Sequence, residues 1–228
     1  MRKVDGANCA FFFDAGGAIH GQSRGHELDL SQRGGRERHF NLFKDWLNAH
    51  ADRFLERLED RYIVYGEWMQ ACHSVFYDDL PHLFLEFDIL DLKEDRFLST
   101  AARRELLRGL QIVSVPVLYQ GEFISTGHLS SFIRRSRYKT ENWRESLSKT
   151  LERENLNPER TLGKIEDLDL AEGIYGKIEQ DGWVIDRSSS SGLDSSSTFR
   201  AMTRTGIPGR SFRTASRLKS TSSHSRRR

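Results

Sequence analysis

Cysteine and proline are scarce in this chain of 228 residues, with two of the first and four of the second. Cys9 and Cys72 are too few for a disulfide scaffold or a cysteine-built zinc site, so a reducing, cytoplasmic setting is expected. No apolar run approaches the ~20 residues of a membrane-spanning helix, so no membrane partner is expected. The opening stretch MRKVDGANCAFFF has a positive beginning like that of a secretory leader. Asp5 and Asp14, however, bound an apolar core of only a few residues, and a tight turn feeding a short strand is the expected structure instead.

Charge is present in quantity and unevenly placed. The net of +2 contains a C-terminal stretch, 188–228, in which eight Arg and one Lys face Asp194 alone, a local net of +8. That leaves −6 for residues 1–187. Thirteen of the 41 residues in 188–228 are serine, and no apolar periodicity runs through them. Such a segment cannot offset its ordering entropy by burial. The expected organisation is one ordered domain over 1–187 and a disordered Ser/Arg-rich tail over 188–228. Arginines of this kind suit phosphate backbones through counterion release, although an incidental basic tail has the same composition.

Within the ordered part, residues 7–13 and RYIVYGEW (61–68) have the β-branched and aromatic content of strands. Between them Phe40, Phe43, Trp46, Leu47, Phe54, Leu55 and Leu58 recur at helical spacing. Residues 83–90 form another strand core, with Asp88 and Asp91 near its end. Residues 101–110 predict a helix closed by Gly109, and SVPVLYQGEF supplies a short strand and a turn. TENWRESLSKTLERENL predicts a further helix. DLAEGIYGKIEQDGWVIDR predicts a hairpin turning at Asp181-Gly182. Helices lie between hairpins and do not alternate regularly with strands, which is an α+β pattern.

Four separated stretches carry polar groups at the edges of these strands. They are KVDG (3–6), SRGH (23–26), YGEW (65–68) with FLEFDI (84–89), and AEGIYGK (171–177). Singly each is weak, since a KxDG turn is common and a Glu on a strand or a Lys in a hairpin is usually just solvated. Together and in this order they resemble the RNA ligase family, within the superfamily of ATP-dependent ligases and capping enzymes. KVDG is similar to the family's first motif, whose lysine becomes covalently adenylylated. SRG (23–25) is similar to the segment whose arginine contacts the nucleotide, YGEW to the third motif, and AEGIYGK to the fourth. FLEFDI is similar to the strand whose aromatic stacks on adenine. The similarity covers residues 3–187.

The resemblance implies a nucleotidyltransferase (ATP-grasp-like ligase adenylation) domain of antiparallel sheets flanked by helices, acting as a monomer. It implies ATP and Mg²⁺ as cofactors and RNA with 5′-phosphate and 3′-hydroxyl ends as partner. Lys3 is then the nucleophile. Asp5, Gly6, Asn8, Arg24, Glu67, Phe84, Glu172 and Lys177 are the implied nucleotide-binding residues, with Phe84 preferred to Phe87 for sandwiching the purine. Glu67 and Glu172 are the implied metal ligands, as hard oxygen donors suit Mg²⁺. The amine must attack the α-phosphorus uncharged despite an ordinary pKa of ~10.4. Neighbouring cations would lower that value and offset charge developing on the phosphate.

Two departures stand out. The family carries an element ahead of its first motif, whereas Lys3 is almost the first residue here, so that wall of the pocket is expected to be missing or to come from elsewhere. The family's fifth motif places lysines shortly after the fourth-motif hairpin, whereas this chain has VIDR and then serines, with no lysine between Lys177 and Lys219. Losing preorganised charge of this kind costs on the order of 10²–10³ in rate. The alternative is therefore a non-catalytic nucleotide- or RNA-binding chain of the same fold, and a capping enzyme using GTP is a third reading. His26, His82, His128 and the pair Cys72-His73 stay without assigned roles. Trp46, Trp68, Trp143 and Trp183 are expected in the core or on strand faces.

Overall fold

The computed structural model describes residues 1–70, 74–122, 124–125, 127–128, 131–162, 165, 169–170, 172–191 and 200–201. Cys72, His73 and the tail over 192–199 and 202–228 lie outside the described residues. The chain starts with β1 (Arg2–Lys3), β2 (Ala7–Phe13), β3 (Ile19–Ser23) and β4 (His26–Leu28). A 3₁₀ turn (Gly35–Phe40) then leads into α1 (Asn41–Leu58). After β5 (Tyr62–Trp68) and β6 (Phe84–Asp91) come β7 (Arg96–Phe97), α2 (Thr100–Leu106) and β8 (Val113–Ser114). Helices α3 (Trp143–Arg153) and α4 (Pro158–Leu162) precede β9 (Gly173–Gln180), β10 (Trp183–Ser191) and β11 (Arg200–Ala201).

These strands make two sheets. The larger runs β4-β3-β2-β5-β6-β7, with the short β8 alongside β6, and the smaller runs β1-β9-β10-β11. Every pairing is antiparallel except β6 with β8. This is the expected α+β architecture of antiparallel sheets flanked by helices. Among the described residues no helix is long and apolar enough to cross a membrane.

Strand parity explains where the core sits. Cys9, Phe11 and Phe13 alternate onto one face of β2 and are buried together with Phe43, Leu47, Phe54 and Leu58 of α1. The helix lies on that face because its apolar positions recur every three or four residues. Phe11 stacks on Phe54 at 5.2 Å, and Phe43 on Phe84 at 5.7 Å. Each fully buried ring of this kind contributes about 1.5–3 kcal/mol. The other face of β2 carries Asn8, Ala10 and Phe12, and Glu67 of β5 pairs with Asn8 on that side.

The hairpin of β9 and β10 turns at Asp181 and Gly182, with φ of 51° and 85°. Two consecutive positive φ values are what a two-residue type I′ turn demands. The strand does not stop at the expected 187/188 boundary. Ser188, Ser189, Ser190 and Ser191 continue β10 opposite Gly176, Tyr175, Ile174 and Gly173. Ladder pairing needs only backbone N–H and C=O, so a serine run can carry it while lacking any apolar pattern.

The start of α2 joins the sheets. Ser99 caps the helix by accepting from the Ala102 N–H, and its own N–H donates to the Gly182 carbonyl at 2.8 Å. Thr100 donates from its N–H and its hydroxyl to Glu179 Oε1, at 2.9 and 2.6 Å. A backbone bridge between Leu98 and Trp183 adds to this seam. Arg103 of the same helix forms a buried ion pair with Glu86 of β6, whose other oxygen accepts from Ser114 at 2.6 Å.

Candidate active site

Lys3 is placed by strand pairing and not by its neighbours in sequence. β1 lies against β9 with Lys3 opposite Gly173, which brings its ammonium onto the carboxylate of Glu172. The Lys3 side chain is 36% exposed, so the amine is fixed yet open to a ligand. Asp5 anchors the following turn. Its Oδ2 accepts from the Ser74 N–H, the Ser74 hydroxyl and the Val75 N–H, at 2.6, 2.9 and 2.9 Å. Gly6 lets this turn close on the end of β5, since a Cβ there would lie 2.8 Å from Met69 Sδ and 2.9 Å from the Trp68 carbonyl oxygen.

Asn8 and Glu67 sit directly opposite each other on β2 and β5, and Asn8 Nδ2 donates to Glu67 Oε1 at 3.3 Å. Burial pushes the Glu67 carboxyl up to about 8; Glu172 and Asp5 push in the same direction, while the Asn8 amide and the Arg24 guanidinium oppose. That electrostatic group ties four of the expected residues to Glu67. Arg24 itself is exposed, on the two-residue turn between β3 and β4 where Gly25 takes a φ of 99°. Among the described residues no group of three or more His, Cys, Asp or Glu is arranged to hold a metal ion.

The expectation for Phe84 is corrected. Its ring is fully buried and packs on Phe11, Phe43 and Trp46, on the α1 side of the sheet. Phe84 pairs with Trp68, so parity directs it into the core with that tryptophan. Gly66 is glycine because a Cβ would meet the Phe84 ring at 2.4 Å. The register then slips between Tyr65 and Gly66, leaving Phe87 as the extra residue of a bulge. Phe87 is partly buried and packs edge-on against Tyr175 at 6.1 Å, on the side of the smaller sheet.

Lys177 lies deeper than Lys3. Its Nζ donates to Asp88 Oδ1 at 2.5 Å and to the Phe87 carbonyl at 2.6 Å. Asp88 Oδ2 accepts from the Tyr175 hydroxyl at 3.0 Å and from Arg187 Nη1 at 3.1 Å. Burial would raise Asp88, but Lys177 and then Arg187 hold it below the ordinary carboxylate range. Burial is also the main cause of the lowered Lys177 pKa, with Asp88 opposing it. Asp88, Tyr175 and Arg187 were not among the residues implied by the motifs. Their one trace in the sequence is an acid inside the apolar run FLEFDI, which a strand buries only with a partner.

Two of the histidines left without assigned roles have local partners. His26 contacts Ser23 at 3.0 Å and Glu37 at 3.1 Å, and His82 accepts from the Phe84 N–H at 3.0 Å. Trp68 and Trp143 are core residues, and Trp183 lies under Arg96.

A family model described as RNA ligase matches residues 1–189. No curated protein sequence matches the chain. Among solved structures it is similar to a Naegleria gruberi RNA ligase with PPi, at 18% identity and a TM-score of 0.39, over 57% of this chain and 39% of that one. It is also similar to an archaeal ATP-dependent RNA ligase, at 19% identity and a TM-score of 0.38, over 50% of this chain and 29% of that one. The matched part therefore spans well under half the length of either protein. With the family model matched over residues 1–189, most of its length, the chain belongs to the RNA ligase family.

Proposed function

We propose that this chain is the adenylylating part of an ATP-dependent RNA ligase. Lys3 Nζ attacks the α-phosphorus of ATP as the neutral amine, the bond to the β-phosphate oxygen breaks, and pyrophosphate leaves. The resulting lysyl-AMP passes its AMP to an RNA 5′-phosphate. A 3′-hydroxyl then displaces AMP to seal the strand. The observation that carries this reading is the contact of Lys3 with Glu172, inside a group that also holds Glu67, Asn8 and Arg24.

Each residue has a task in this reading. Asp5 holds the turn that delivers the amine, and Glu172 orients its ammonium through the ion pair. Arg24 and Lys177 supply positive charge for the phosphates, and Phe87 supplies an aromatic face for the purine. Glu67 and Glu172 are hard oxygen donors of the kind a divalent cation takes, and the charge of Glu172 adds to the burial that pushes the Glu67 carboxyl up to about 8. Two carboxylates plus substrate phosphates are the usual setting for Mg²⁺. When bound, Mg²⁺ supplies charge that offsets the developing negative charge on phosphorus and lowers the proton affinity of a nearby amine.

One observation favours the non-catalytic alternative: β10 carries Ser188–Ser191 where the family carries fifth-motif lysines. Incubation with α-phosphate-labelled ATP and Mg²⁺ separates the two. A covalent label that Lys3→Ala abolishes, and that excess unlabelled GTP added together with the ATP does not suppress, supports the ligase reading. Reversible ATP or RNA binding without any covalent label rejects it.

A further inference from the structure

Two cations share one buried carboxylate between the sheets. Lys177 and Arg187 stand directly opposite each other on β9 and β10. They take different oxygens of Asp88, at 2.5 and 3.1 Å. The side chains of Lys177, Asp88 and Arg187 are 3%, 1% and 23% exposed, so solvent screens this group little. Its formal charge is +1. Without Arg187, Lys177 and Asp88 would form a neutral pair closed on itself.

We propose that Arg187 is a positioning residue that keeps this buried group net cationic, so that the Lys177 ammonium presents charge to a nucleotide phosphate. The inference rests on the nucleotide-binding reading above. Arg187 cannot follow a phosphate itself, because its guanidinium lies over the Phe97 ring at 3.8 Å while holding Asp88. It acts through the carboxylate. In a low-dielectric setting a second cation on Asp88 weakens the hold of that carboxylate on the first, and leaves the surplus positive charge uncompensated until an anion arrives. Nothing further along β10 repeats this role, since the strand ends in four serines.

Calorimetric ATP affinity of the full chain tests it with Arg187→Lys, Arg187→Gln and the double variant Asp88→Asn/Arg187→Gln. Arg187→Gln brings the group to zero charge and is expected to weaken ATP about tenfold, the scale of one charged hydrogen bond. Arg187→Lys keeps +1 and stays within about threefold of the parent chain. The double variant is again +1 and recovers most of the loss, although it has lost two structural partners. A purely packing role for Arg187 predicts the opposite, with the double variant no tighter than Arg187→Gln. Should the double variant fail to fold, as thermal unfolding would show, the difference between Arg187→Lys and Arg187→Gln decides alone. Covalent labelling of the parent chain with unchanged ATP affinity in Arg187→Gln overturns this inference and leaves the ligase reading standing. No ATP binding by the parent chain overturns both.

Discussion

Lys3 and Glu172 are 169 positions apart in the chain and their side chains form an ion pair. The contact exists because β1 joins the sheet through β9, which places Lys3 beside the residue that precedes Gly173. A motif at one end of the domain and a motif at the other thereby share one small volume.

Glu172→Gln removes a carboxylate whose negative charge acts on Glu67. Burial is the main reason the Glu67 carboxyl lies at about 8, and Glu172 adds to it, so the midpoint should move down in this variant. In the parent chain Glu67 is mostly protonated at neutral pH and ionises as pH rises past about 8. Carbon-13 NMR titration of the glutamate carboxyls reads both midpoints, and an unmoved Glu67 midpoint would contradict the arrangement.

Phe84 and Phe87 should separate cleanly. Phe84→Ala empties a packed core site and is expected to cost about 3–5 kcal/mol in urea unfolding. Phe87→Ala removes a half-buried ring, costs less stability, and weakens ATP binding at matched temperature. Gly66→Ala forces a Cβ into the Phe84 ring and should destabilise by about 1–3 kcal/mol, because backbone and ring must both shift. If Phe84→Ala and Phe87→Ala exchanged these effects, the parity assignment of β6 would be wrong.

The Arg103–Glu86 pair links α2 to β6, with side chains only 2% and 0% exposed. Arg103→Met or Glu86→Gln alone leaves the partner buried without its counter-ion, at a cost of about 3–5 kcal/mol. The double variant is expected to lose far less than the sum of the two. Additive losses in denaturant unfolding would show that the two groups do not interact.

Acid stability should depend on Asp91. Burial would raise this carboxyl, but Arg61 and the N–H groups of Glu94 and Lys93 more than offset that and hold it below the ordinary range. A depressed folded value means that the stabilisation is complete above the unfolded pKa of ~3.9 and disappears as pH falls through the folded one. Asp91→Asn should therefore flatten the loss of Tm between about pH 4 and pH 2, and an unchanged acid slope would refute the assignment.

Much of the framework was legible from residue order. The strand 7–13 is observed as Ala7–Phe13, and the Asp181-Gly182 turn forms with both residues at positive φ. The helical spacing from Phe43 to Leu58 marked the face that α1 buries. Helix α2 ends at Leu106, short of the expected 101–110, and Gly109, with a φ of 84°, lies in the turn that follows it. Phe84 was misassigned for a physical reason. Phe84 and Phe87 are three positions apart and so take opposite faces of β6, and only the pairing of Phe84 with Trp68 decides which of those faces is the core. The four serines of β10 were unreadable as strand because their ordering comes from the ladder with β9, which leaves no mark on side-chain composition.

The sequence by itself determined the local conformations, the α1-facing core and the set of polar motifs in their order, because these depend on periodicity and residue chemistry within short windows. Only the tertiary structure decided that Lys3 meets Glu172, that Phe87 and not Phe84 faces the smaller sheet, and that Lys177 and Arg187 converge on Asp88. Those pairings are set by strand register across the whole domain, and register is a property of chains lying side by side that no single stretch encodes.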